Sequence, residues 1–231
     1  MRRVMYLPVC AAALSTLIAT FITTATATAA PVDRPWTHYN DLLAMLKMDK
    51  FYATPLAQRD KVIMRGVITP NDPAFARTDV VFTVVDGNAR ARIPVGADGA
   101  FVIPFNAQWV KSNPEVWTTI PAGQKSKFGF GAVPVLPPNT RLDYVSLMGG
   151  VAQINAIIKE QAGVLRFVLP TLVGVTLQFP KESHASVALG ETRVAADASG
   201  LVKLRLDKAL LAANVPVTLS EMPASVDFLE N

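Results

Sequence analysis

Sliding the 231-residue chain past itself by 101 positions lays residues 90–119 on residues 191–220 without a gap. Arg92 meets Arg193, Ala97 meets Ala198, Gly99 meets Gly200, Asn113 meets Asn214 and Val116 meets Val217. Between these identities the apolar positions coincide as well: Ile93 with Val194, Phe101 with Val202, Ile103 with Leu204, and Phe105 with Leu206. A chain that repeats its own punctuation in this way builds one supersecondary unit twice.

Each copy has the same local reading. A strand meets a turn, Ala97-Asp98-Gly99 or Ala198-Ser199-Gly200, where Gly supplies a positive φ without steric cost. The next segment alternates, with Phe101, Ile103 and Phe105, or Val202, Leu204 and Leu206, on one face, as a half-buried strand does. Asn106 or Asp207 then stands where a side-chain oxygen caps a short helical turn. In the second copy that turn stops at Asn214, a residue type that tolerates the left-handed region. Further strands are expected over Val116 to Ile120 and over Val217 to Ser220.

The likeness extends upstream. Tyr39, Leu42, Leu43 and Leu46 predict a helix within residues 36–51, and Tyr144, Leu147, Met148 and Val151 repeat the spacing. Gly149-Gly150 is expected to weaken the start of the second helix. Strand candidates follow at Val62 to Thr69 and Val164 to Leu169. A hairpin is expected from Val80 to Val85 and Ala89 to Val95, joined by Asp86-Gly87-Asn88. Thr171 to Phe179, Ala185 to Leu189 and Thr192 to Ala195 complete the second copy. The expected fold is mainly β (α+β): two related antiparallel β-sandwich-like units, each preceded by a helix. Proline-rich Val133 to Asn139 reads as a stiff linker between them.

The N-terminus has a different character. Arg2 and Arg3 precede an apolar stretch from Val4 to about Ile22, and small residues Thr23 to Ala30 follow. That order is a secretory signal peptide, and Ala27-Thr28-Ala29 places the mature start at Ala30. The expected organisation is a signal over residues 1–29, one β-rich unit over 30–135 and a second over 136–231. Removing the signal takes Cys10, the single Cys, and leaves 20 basic against 18 acidic residues. A cysteine-free exported chain of this size relies on its core, and the bacterial periplasm or medium is the expected location. Both charge signs are interspersed, so the polybasic footprint of a nucleic-acid binder is absent. The mature protein is not expected to be an integral membrane protein. Short strands and few aromatics also argue against a membrane barrel.

Chemistry-bearing motifs are sparse. His38 and His184 are the two imidazoles, with no HExxH spacing, so no metal site and no cofactor are expected. His184 and Ser186 lie two apart, the spacing that brings a nucleophile and a base to one strand face. However, no Gly-x-Ser-x-Gly elbow accompanies them. Gly129-Phe130-Gly131 lacks the Lys-Ser/Thr of a phosphate loop. The expected function is therefore a non-enzymatic binding or structural module of the envelope, with a periplasmic hydrolase of dispersed active site as the alternative. The candidate ligand-binding residues are Trp117, Phe128, Phe130, Lys125 and Lys127: rings among glycines and beside lysines, suited to a glycan, a small apolar ligand or an envelope protein. The bland reading of Phe128 and Phe130, two apart on one strand face, is that both fill the core.

The helix, the Pro-ended strand, the Gly-x-Phe-x-Ile-Pro-Phe run at 99–105 and the Asn-capped turn resemble uncharacterised secreted proteobacterial β-rich proteins of unknown function. That resemblance implies location and fold and transfers no activity. The hairpins are also similar to transthyretin-like and immunoglobulin-like sandwiches, an analogy of fold alone.

Overall fold

A computed structural model describes residues 33–73, 75–161 and 171–231. The signal expected over residues 1–29 and the strand candidate over residues 164–169 lie outside the described residues. The first half runs β1 (Arg34–His38), α1 (Tyr39–Met45), α2 (Met48–Ala53), β2 (Val62–Pro70), β3 (Val81–Asp86), β4 (Ala89–Pro94), β5 (Ala100–Phe101), α3 (Ala107–Ser112), β6 (Glu115–Thr118) and β7 (Ser126–Pro134). The second runs β8 (Arg141–Asp143), α4 (Tyr144–Gln161), β9 (Leu172–Gln178), β10 (Ser186–Leu189), β11 (Thr192–Ala195), β12 (Leu201–Arg205), α5 (Lys208–Ala213), β13 (Pro216–Leu219) and β14 (Ser225–Glu230).

The two halves have the same strand order. The first forms sheets β1-β6-β3-β4 and β5-β2-β7; the second forms β8-β13-β10-β11 and β12-β9-β14. All of these ladders are antiparallel. The protein is thus mainly β with α-helices added. In the first half Phe82 of one sheet packs on Phe101 of the other at 4.8 Å, so the two sheets face each other. The buried side chains of both halves belong to one continuous hydrophobic cluster.

The repeated punctuation does repeated work. Gly99 and Gly200 have φ of 84° and 79°. A Cβ on them would come within 2.3 Å of the Ile68 carbonyl oxygen and 2.4 Å of that of Phe179. Both turns therefore need Gly for its left-handed backbone and for its lack of bulk. Asn106 Oδ1 accepts from the amides of Gln108 and Trp109, and Asp207 Oδ1 from those of Ala209 and Leu210. Each short helix then ends on a left-handed Asn, Asn113 at φ 46° and Asn214 at φ 43°.

A second repeated device ties each half together, and it needs residues far apart in sequence. Tyr39 donates its hydroxyl to the Pro104 carbonyl at 2.7 Å and accepts from the Asn106 amide at 3.2 Å. Tyr144 makes the matching bonds to the Arg205 carbonyl at 3.2 Å and from the Asp207 amide at 2.9 Å. The Asn113 and Asn214 side chains accept the amides of Asn40 and Val145, each at 3.0 Å. Burial raises the pKa of both phenols, so each hydroxyl keeps its proton and donates at neutral pH.

Several elements differ from the sequence expectation. Trp36 lies in strand β1, and the first helix starts at Tyr39. Short strands β1 and β8 precede the helices, because their edges complete the four-stranded sheets through β6 and β13. Lys47 takes φ 57° and breaks the first helix into α1 and α2. In contrast, α4 runs unbroken through Gly149-Gly150. A Cβ at Gly150 would stand 2.6 Å from the Lys61 carbonyl oxygen, so these glycines let α4 approach the first half closely. Strand β9, within Thr171 to Phe179, is the counterpart of β2 by its place in the sheet. The proline-rich segment is partly ordered by pairing: Pro134 ends β7 opposite Val62, and the Val135 amide donates to the Lys61 carbonyl at 3.0 Å.

The β11–β12 turn yields a prediction about acid. Asp197 has a carboxyl pKa held below its ordinary value, first by the Leu201 amide and then by the Ser199 amide. A carboxylate depressed in the folded state adds stability above its unfolded pKa of about 4 and loses it as pH falls through the lower folded value. Asp197→Asn is therefore expected to melt below the wild type at pH 6, with the difference shrinking as the pH falls below about 4. Thermal melts across that range check it; a gap that widens in acid would refute the assignment.

Candidate functional site

A chemically mixed concavity lies where the two halves meet. Its floor is apolar: Phe51 of α2, Met64 of β2, Ile154 and Ile157 of α4, and Leu172 of β9. All five are at most 9% exposed, so the floor is held by core packing. Phe130, Ala132, Ile158 and Phe228 form walls, and the groove encloses about 610 Å³, within the range of about 300–1,000 Å³ usual for small-molecule sites. Phe130 is 53% exposed, so its ring presents apolar surface to solvent beside the buried floor.

Three links between the halves set this geometry. Gln153 accepts the Lys61 amide through Oε1 at 2.9 Å and donates to Asp60 at 2.6 Å. Gln161 at the end of α4 donates to the Lys50 carbonyl and to Thr54 Oγ1, both at 2.9 Å. Arg65 of β2 reaches Asp227 of β14 at 2.9 Å through Nη2. Strands β7 and β14 lie side by side between these links. Among the described residues neither is paired across the gap: β7 ladders with β2 and β14 with β9.

The groove mouth is charged. Lys47, Lys50, Arg65, Asp227 and Glu230 stand around it. Arg65 is engaged by Asp227 and, more loosely, by Asp98 at 3.9 Å, while its buried Nε has no hydrogen-bond partner. Among the described residues no ion pair involves Lys47, Lys50 or Glu230.

The sequence candidates are dispersed by the fold. Phe130 alone of the five lines this groove. Phe128 stacks on Trp36 at 5.1 Å and is half-buried against the core, whereas Phe130, expected on the same reading to fill the core with it, is exposed. Trp117 belongs to β6 in the other sheet, where its indole donates to Glu115 at 2.8 Å and carries the Arg90 guanidinium at 4.8 Å. Lys125 and Lys127 are exposed near the start of β7 and do not line the groove. The lysines that do, Lys47 and Lys50, carried no signal in the sequence beyond their charge. Ile154, Ile157 and Ile158 were legible as a helical stripe but not as a floor.

Residues 80–179 match a family described as "Protein of unknown function (DUF2987)". The matched segment covers less than half of the chain. It runs from the strand β3 region to the end of β9, and so includes α4 and one side of the groove. No curated protein and no solved structure matches the chain.

The other candidate chemistry is scattered. His38 is exposed and stands 4.0 Å from Asp41 at the start of α1. His184 is exposed and precedes β10, whereas Ser186 is buried and its amide donates to Ser220 Oγ at 2.9 Å. No hydrogen bond joins His184 to Ser186 among the described residues. Those residues also contain no cluster of three or more His, Cys, Asp or Glu able to hold a metal, and no helix long and apolar enough to cross a membrane. A second hollow of about 590 Å³ lies between α1, α2 and Phe105. It is flanked by Arg59, stacked over Phe51, Tyr52 and Phe105 at 5.5, 5.1 and 5.8 Å.

Proposed function

We propose that this chain is an exported envelope protein that works as a non-enzymatic binding module, holding an apolar ligand in the groove between its halves. The observation that carries the reading is the exposed Phe130 ring over a floor of buried aliphatic side chains from both halves. Covering the exposed Phe130 ring with an apolar group is favourable by about 25 cal/mol per Å². The Arg2-Arg3 start, the apolar run and Ala27-Thr28-Ala29 support export.

A naphthylamine dye whose fluorescence rises in apolar surroundings is expected to bind the full chain saturably at one site. Phe130→Ala and Ile158→Gln each weaken binding by about tenfold, since tenfold corresponds to about 1.4 kcal/mol and each removes about that much apolar contact. Phe130 is 53% exposed, so Phe130→Ala leaves the melting temperature near that of the wild type, whereas Ile158, packed against the core, lowers it modestly when replaced by Gln. Equal dye affinity in the variants would remove the groove as the site. N-terminal sequencing of the periplasmic form checks export, with Ala30 as the expected first residue.

A further inference from the structure

The charges at the groove mouth specify more than an apolar ligand. Of the five ionisable groups there, Arg65 and Asp227 neutralise each other at 2.9 Å. Lys47 and Lys50 are exposed and without an ion pair among the described residues, against Glu230 alone. Lys47 is placed by its left-handed backbone at φ 57°. The backbone at Lys50 is pinned, because its carbonyl accepts Gln161 Nε2 at 2.9 Å. Two exposed lysines on fixed backbone thus stand at the rim of an apolar floor.

An apolar floor under an excess of one positive charge matches a ligand that is apolar at one end and anionic at the other. We propose that the groove takes a single-chain anionic amphiphile, its hydrocarbon tail on Met64, Ile154, Ile157 and Phe130 and its carboxylate or phosphate held by Lys47 and Lys50. This rests on the groove reading given above. Charge-assisted bonds from the lysines to the head add to the burial of the tail. A quaternary ammonium head on the same tail meets two like charges instead.

Three probes with a common dodecyl chain separate the two contributions: dodecanoate, dodecyl maltoside and dodecyltrimethylammonium, each titrated below its micellar concentration. Dodecanoate is expected to bind at least about tenfold more tightly than the cationic probe, the scale of one charge-assisted contact, and to weaken in 0.5 M salt. Lys47→Ala/Lys50→Ala removes that preference and leaves the maltoside affinity unchanged, whereas Phe130→Ala weakens all three. Three equal affinities, or a preference for the cation, would overturn the anionic head while leaving the apolar groove standing. No binding by any probe would overturn both. Co-sedimentation with phosphatidylglycerol vesicles that survives Phe130→Ala would place anion recognition on a membrane-facing surface and overturn the groove assignment.

Discussion

Gly174→Ala is expected to lower the melting temperature by roughly 6–12 °C, the equivalent of about 3 kcal/mol in a chain of this size. Gly174 lies in β9, paired with Arg205 on one side and Leu229 on the other. A Cβ there would stand 1.9 Å from the Leu204 carbonyl oxygen and 2.9 Å from Arg205 Cα. Both are backbone atoms of the neighbouring strand, so no side chain can swing aside to relieve the clash. Relief requires β9 and β12 to separate, and the ladder that includes Val175 opposite Leu204 goes with them. The gain from a less flexible unfolded chain, about 0.4–1 kcal/mol, is too small to offset this. Denaturant titration checks the prediction; Gly87→Ala is the contrast. A Cβ at Gly87 meets nothing within 4 Å, although its φ of 59° still carries strain, so a cost of about 1 kcal/mol is expected.

Phe82→Ala is expected to cost about 3–5 kcal/mol, the range for emptying a buried aromatic site. Phe82 is fully buried on β3 and touches Trp36 at 5.3 Å, Phe101 at 4.8 Å and Phe128 at 6.3 Å. Removing it strips the ring that joins the two sheets of the first half. The structurally equivalent position in the second half is Val187, paired with Val194 and Leu219 as Phe82 is with Ile93 and Thr118. Val187→Ala deletes a smaller group, so a cost nearer 2 kcal/mol is expected. Both substitutions should shift one cooperative transition, because the buried residues of the two halves form a single cluster and α4 is fastened to the first half at Lys61, Lys50 and Thr54. Two separate transitions, with Phe82→Ala moving only one, would mean that the halves unfold independently.

The repeat and its turns were readable from sequence because they rest on single-residue backbone rules. Positive φ at Gly99 and Gly200, capping by Asn106 and Asp207, and the stop at Asn214 all depend on neighbours within four positions. The breaks in that legibility have physical causes of longer range. Gly149-Gly150 looked like a weak point for a helix, yet it is the place where α4 approaches the Lys61 backbone. Strands β1 and β8 are only five and three residues long, too short for alternation to register; they exist because a ladder partner was available. Among the site residues, Phe130 was singled out by its place among glycines, and its ring is exposed on β7. Trp117 and Phe128 drew notice for the same aromatic character, but cross-strand pairing placed one on Arg90 and the other under Trp36.

What the amino-acid order decided alone is the unit: a capped helix, alternating strands and a glycine turn, written twice. Those features follow from allowed φ values and from periodicity, both properties of short stretches. What the tertiary structure decided is the groove, because its floor draws Phe51, Met64, Ile157 and Leu172 from across more than a hundred positions. Its charge arises from which cations found partners in the fold: Arg65 met Asp227, and Lys47 and Lys50 were left facing water. Local rules act on neighbours in sequence, whereas burial and ion pairing act on neighbours in space, and only packing α4 against both halves makes those neighbours.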